Sequence, residues 1–280
     1  MVCKSYDVTV PEVVAFILLV FTTLIVAGAG YVVNDIRDHE HDTVNKPEKS
    51  YIPHQISLSK AKHYYIILLS IGLMTISGNI LLSDSSFYPI IYYIMANTML
   101  LLYAIRYKNS ILIGNIIVST FVALVPAVIV YTEWSRFDML GFTGGGFEVV
   151  EVLMGYMVFS FVINMVREIV KDIEDIAGDS AFGLVTLPIK YGIDLAKKLC
   201  IGLIILAIIL MMGWMLLSSI EVGFRINMFL ILLIICPLTI VIQIITKTTQ
   251  KRDFTKVSGI LKWIMLGGLV SLVMITNHIL

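Results

Sequence analysis

Apolar residues dominate stretches whose lengths match a hydrocarbon layer of about 30 Å, which takes roughly 20 helical residues to cross. The stretches fall at 11–33, 63–83, 87–105, 111–132, 147–170, 199–220, 226–246 and 259–279. Backbone groups in lipid must bond within their own segment, so each stretch predicts a helix. The pattern predicts an all-α fold, a multi-span transmembrane helical bundle of eight spans. Connections are short and no soluble domain is expected, so residues 1–280 read as a single membrane-embedded domain.

The pattern turns most sharply polar after the first and fifth spans. Asn34-Asp35-x-x-Asp38-x-x-x-Asp42 and Asp172-x-x-Asp175-x-x-x-Asp179 repeat one spacing. At 100° per residue each aspartate trio lies within about 60° on a helix, giving one negative stripe. Asn164 and Glu168 extend the second face upstream, to a width of about 80°. Like charges at i,i+3 and i,i+4 cost a helix about 0.2–0.5 kcal/mol per pair, so two matched stripes predict that a cation sits between such acids. One acidic run alone is ordinarily a solvated helix face. Two runs with the same spacing on the same side argue for metal. A polar loop of about 20 residues is expected after each, and long loops in compact proteins are more often functional than accidental.

Composition supports the membrane reading. The chain is 58% hydrophobic and 14% charged, with a mean hydropathy of +0.92, whereas soluble domains carry about a quarter charged residues. The formal net charge is zero, so the basic footprint of a nucleic-acid partner is absent. Of the 20 Lys and Arg residues, 16 gather on one side; Lys4, Arg136 and Arg225 lie on the other, and Lys262 lies inside the last span near its basic end. Basic residues near span ends mark the cytoplasmic side, and both acidic stripes share it. An integral multi-pass cell membrane protein with its cleft facing the cytoplasm is expected, both termini lying outside. Cys3, Cys200 and Cys236 have neither disulfide nor zinc spacing and read as packing residues. His39 and His41 stand i,i+2 apart and face different sides of a helix. No secretory leader pattern is present.

Six carboxylates at bilayer mid-depth would cost on the order of 15–20 kcal/mol together, at about 2.5–3.5 each. A water-accessible cleft neutralised by cations avoids that cost. Carboxylate and amide oxygens select hard cations, and Mg²⁺ takes a few carboxylates, waters and substrate phosphate oxygens. The expected ligands of Mg²⁺ bridging a diphosphate are Asn34, Asp35, Asp38, Asp42, Asp172, Asp175 and Asp179, with Asp38, Asp42, Asp175 and Asp179 as the catalytic carboxylates. Lys171, Arg167, Arg106, Lys108 and Lys46 are candidates to hold the remaining phosphate oxygens and stabilise a leaving diphosphate. Asn115 can contact substrate or bond to a neighbouring helix.

The segments Asn34-Asp-Ile-Arg-Asp-His-Glu-His-Asp-Thr-Val-Asn-Lys-Pro47 and Arg167-Glu-Ile-Val-Lys-Asp-Ile-Glu-Asp-Ile-Ala-Gly-Asp179 resemble the two signatures of the UbiA superfamily of intramembrane prenyltransferases. The second segment, followed by Gly183-Leu-Val-Thr-Leu-Pro-Ile-Lys190 and Gly192, resembles the digeranylgeranylglyceryl phosphate synthase group. Tyr107-Lys108 and Gly114-Asn115 are similar to that group's loop and helix start between its fourth and fifth helices. The resemblance implies nine helices around a central cavity, two acidic motifs holding Mg²⁺ and a polyprenyl diphosphate, and a lateral opening to membrane lipids. It favours a geranylgeranyl donor and, as acceptor, the hydroxyl of a prenylglycerol phosphate ether lipid. An aromatic quinone precursor is the alternative acceptor. The eight spans match the family's second to ninth, so the family's first helix is expected to be missing. Lys49-Ser-Tyr-Ile-Pro-His54 departs from the Arg-Pro-Ile-Pro found in relatives. From another functional class, a cation transporter would need acids along a path to the opposite face, where the spans carry only Glu148 and Glu151.

Overall fold

A computed structural model describes residues 9–45, 51–52, 54–83, 87–132, 146–218, 220, 222–248 and 250–279. Among these residues the regular structure is helical, without a strand. In chain order the helices are α1 Val10–Asn45, α2 Leu58–Ser83, α3 Tyr88–Tyr107, α4 Ile113–Thr132 and α5 Gly146–Glu174. Two short helices follow, α6 Ile176–Ala181 and α7 Leu187–Tyr191, then α8 Ile193–Leu217, α9 Phe224–Lys247 and α10 Lys251–Ile279. Seven of them are long and apolar enough to cross a membrane, and α4 contributes the shorter apolar stretch Ile113–Val128. All eight expected spans are therefore helices. One expectation is corrected. The polar stretch after the fifth span is folded into α6 and α7, because Gly183 and Thr186-Leu-Pro188 supply a helix stop and a helix start.

The chain divides into two compact units, Met1–Tyr107 and Lys108–Leu280. In the first, α1 packs along α2 through polar pairs. The hydroxyls of Thr22 and Thr75 bond at 2.8 Å, and Asn79 Nδ2 donates to the Ala15 carbonyl at 2.8 Å. Such interhelical bonds contribute about 0.6 kcal/mol each in a membrane. Gly72 lets α3 approach α2, since a Cβ there would lie 2.8 Å from the Tyr93 ring, whose hydroxyl donates to the Leu69 carbonyl. The 36 residues of α1 extend about 54 Å at 1.5 Å per residue. That exceeds the hydrocarbon thickness, so the end of α1 carrying the first acidic segment can project beyond it.

In the second unit α5 is the interior helix. Half of its apolar stretch is buried (50%), against 28% or less in every other span among the described residues. It packs against α4, α8 and α10. Ala196, Cys200, Ile204 and Ala207, all fully buried, form one stripe of α8 at helical spacing. The small members bring α8 close to α5, where Cys200 Sγ meets the Val166 carbonyl. Ile234, Leu238, Val241 and Ile245 of α9 and Val257, Leu261 and Ile264 of α10 close the core. Pro237 cannot donate to the carbonyl of Leu233, and α9 absorbs this by widening into a π turn over Ile231–Ile235.

Candidate active site: two acidic segments

The first acidic segment occupies the last turns of α1. Asn34 Nδ2 donates to Asp38 Oδ2 at 2.6 Å, an i,i+4 pair on one face. Asp38 is only 4% exposed, while Asp35, one turn earlier, is exposed. The stripe therefore has a covered member and an open one. Asp42 stands on α1 one turn beyond Asp38, but its side chain lies outside the described residues, as does the whole of Lys46. His39 is tied locally, through Nδ1 to the Ile36 carbonyl at 3.0 Å. Arg106 is exposed in the π turn Tyr103–Tyr107 that ends α3.

The second segment is interrupted by one non-helical residue. Asp172 lies in the last turn of α5, but the helix breaks at Asp175 (φ −100°, ψ 5°) and restarts as α6, which carries Asp179. Asp175 stands just before α6, and Asp179 within it is 6% exposed. A Schellman motif closes α6: the Leu184 amide donates to the Asp179 carbonyl (2.9 Å) and the Gly183 amide to Ser180 (3.2 Å). Gly183 makes this possible at φ 70°. Because a Cβ there would meet nothing within 4 Å, Gly183→Ala should cost only the backbone strain of that conformation, about 1 kcal/mol. A thermal unfolding midpoint equal to that of the wild type would contradict this.

Three polar contacts organise the segment. Asn115, 7% exposed near the start of α4, donates from Nδ2 to Asp172 Oδ2 at 2.8 Å, joining residues 57 positions apart. Glu168 Oε1 accepts from both Arg167 Nη1 (2.8 Å) and Lys171 Nζ (2.9 Å), so one carboxylate oxygen gathers two cations one turn before Asp172. Asn164, 1% exposed, turns back to the Ser160 carbonyl. Lys108 is half-buried just before α4. Asn109 was not singled out from the sequence, yet its Oδ1 accepts from the Val185 amide at 2.8 Å and ties the connection before α4 to the segment after α6. The signal for it was an asparagine in a helix-to-helix turn, where such side chains cap backbone groups.

The donors suit a hard divalent cation. Asp172, Asp175 and Asp179 offer oxygen only, and Glu174 Oε1 is buried without a hydrogen bond. Among the described residues no three His, Cys, Asp or Glu side chains converge on one point. Mg²⁺ does not require that, since it binds through one or two carboxylates with waters and substrate phosphate oxygens completing the shell.

Comparison with known proteins gives the family. The model of the UbiA prenyltransferase family matches residues 6–266. The digeranylgeranylglyceryl phosphate synthase of Methanothermobacter thermautotrophicus is 33% identical over 68% of the chain, which spans 59% of that relative's length. Those of Methanocaldococcus jannaschii and Methanosphaera stadtmanae are 32% and 30% identical, covering 91% and 94% of the chain and 81% and 87% of their own lengths. A solved structure, described as giving structural and mechanistic insights into a digeranylgeranylglyceryl phosphate synthase in membranes, aligns with a TM-score of 0.62. It is 28% identical over 97% of this chain and 88% of its own. With its apolar helices, its two acidic segments and a family match across most of its length, this integral membrane chain belongs to the UbiA prenyltransferase family.

Proposed function

We propose that the protein transfers a polyprenyl group, with geranylgeranyl the favoured donor, from its diphosphate to the hydroxyl of a prenylglycerol phosphate. The reading rests on the acidic end of α5, where Asn115 of α4 orients Asp172 and Glu168 holds two cationic side chains, together with the names of the relatives. Asn34, Asp35, Asp38 and Asp42 of α1, and Asp172, Asp175 and Asp179, are the residues that would hold Mg²⁺. Bound there, the ion would supply positive charge to the diphosphate as its bond to C1 lengthens. The chain's own residues do the rest. Asn115 fixes the direction of one Asp172 oxygen. Arg167 and Lys171, with Lys46, Arg106 and Lys108, contribute cationic donors for phosphate oxygens. The C1–O bond breaks with its electron pair leaving on the diphosphate, the acceptor oxygen bonds to C1, and its proton passes to solvent. The acidic segments face the cytoplasm in this reading, where the basic loops lie.

Isolated membranes incubated with a panel of prenyl diphosphates and acceptors should yield the ether lipid of a prenylglycerol phosphate, identified by mass. A prenylated aromatic ring as sole product would replace the acceptor assignment, and no product from any pair would remove the reaction. Asn115→Ala should lower kcat by roughly ten- to a hundredfold, because a hydrogen bond to a charged group contributes about 1.5–3 kcal/mol. The loss should be accompanied by a raised Mg²⁺ requirement. A change in the KM for acceptor alone would instead place Asn115 on the substrate.

A further inference from the structure

The second unit contains a cavity of about 260 Å³ that the proposed reaction does not use. Its walls come from Val152, Gly155, Tyr156 and Phe159 of α5, from Ala207 to Trp214 of α8, from Leu230 and from Gly268 to Ile275 of α10. At 100° per residue, those α5 residues centre about 170° away from Asn164, Glu168 and Asp172, so the cavity lies on the opposite face of α5. It is also displaced by about 20 Å along the axis, the rise over the 13 residues from Phe159 to Asp172. Cavity and acidic segment are thus separate places on one helix.

Nothing in the cavity invites water. Its lining is almost wholly apolar, and two of its few polar groups are engaged elsewhere: Ser271 Oγ donates to the Gly268 carbonyl (2.7 Å) and Trp214 Nε1 to Glu151 Oε1 (3.2 Å). A water there would lack the two to four partners it needs, although the volume equals that of about nine liquid waters. The mouth lies beside Gly155, Val158 and Leu210, the last two 50% and 43% exposed. In a span, that opening meets lipid hydrocarbon. At the outer end the chemistry changes: Glu151 Oε1 also accepts from Ser218 Oγ at 2.8 Å, and the Trp214 ring links this carboxylate to the apolar wall. A tryptophan with its ring in hydrocarbon and its N–H on a polar group is the usual arrangement at a membrane boundary.

We infer that this cavity binds one hydrocarbon chain of a bilayer lipid from the leaflet opposite the acidic segments, with Glu151 accepting hydrogen bonds from headgroup hydroxyls. The site is distinct from the place where the prenyl donor reacts and does not depend on the reaction assigned above. Gly155 gives a means of testing it, because a Cβ there meets nothing within 4 Å and a larger side chain can grow into the mouth.

The full chain, reconstituted in nanodiscs containing a phosphatidylglycerol with a photoreactive diazirine on one acyl chain, should be labelled within 152–159, 207–214 and 268–275. Gly155→Phe should reduce that labelling at least about tenfold, the equivalent of 1.4 kcal/mol, while Gly155→Ala retains it. Leu210→Phe, which obstructs the mouth from α8, should act like Gly155→Phe and serves if that variant does not fold. Unlabelled geranylgeranyl diphosphate in excess should leave the labelling unchanged. Displacement by it would make the cavity part of the donor site and overturn the inference, as would labelling that is equal in the wild type and both Phe variants.

Discussion

Replacing Asp38 or Asp175 by Asn is expected to lower prenyl transfer by roughly a hundredfold or more, the scale on which removal of one preorganised electrostatic group acts in an active site. Both substitutions keep shape and remove charge. At position 38 an amide oxygen can still accept from Asn34 Nδ2, now at 2.6 Å from the carboxylate, so that bond within α1 is kept. At position 175 the backbone sits at φ −100° and ψ 5°, a bridge conformation that Asn adopts as readily as Asp. The loss should therefore appear in kcat and in the Mg²⁺ concentration needed for half-maximal rate. Elution volume and thermal midpoint in detergent should stay near wild type. Full activity with an unchanged Mg²⁺ requirement in both variants would end the metal-binding assignment.

Legibility differed between the spans and the site for a physical reason. Span length is set by the thickness of hydrocarbon, which the sequence records as long apolar stretches; 63–83 became Leu58–Ser83 and 259–279 became Lys251–Ile279, each gaining the polar turns that reach beyond it. The break at Asp175 left no trace in the pattern, because the aspartate spacing stays helical across a single non-helical residue. The pairing of Asn115 with Asp172 spans 57 positions and depends on how α4 docks on α5. No local rule gives that. Lys171 on Glu168 was readable as an i,i+3 pair. Arg167 was not, since neighbours on a helix point about 100° apart, and only its long side chain carries the guanidinium round to the same oxygen.

That shared oxygen supports the second large effect. Side-chain exposure is 9% for Glu168, 14% for Arg167 and 35% for Lys171, and Arg167 Nε is buried without a hydrogen bond. Glu168→Leu strands a guanidinium that has little access to water, and breaking such a buried pair by removing one partner costs about 3 kcal/mol or more. Lys171, about a third exposed, can return to solvent and adds little. The double variant Arg167→Met with Glu168→Leu removes both charges and should regain most of the lost stability, because well-packed apolar replacements of buried pairs are often neutral. It should not regain transfer, since Arg167 is among the groups assigned to the diphosphate. Unfolding of the purified chain in mixed micelles, measured for both single variants and the double, gives the coupling directly. Additive losses would show that Arg167 and Glu168 do not depend on each other, and a double variant with wild-type transfer would take Arg167 out of the substrate site.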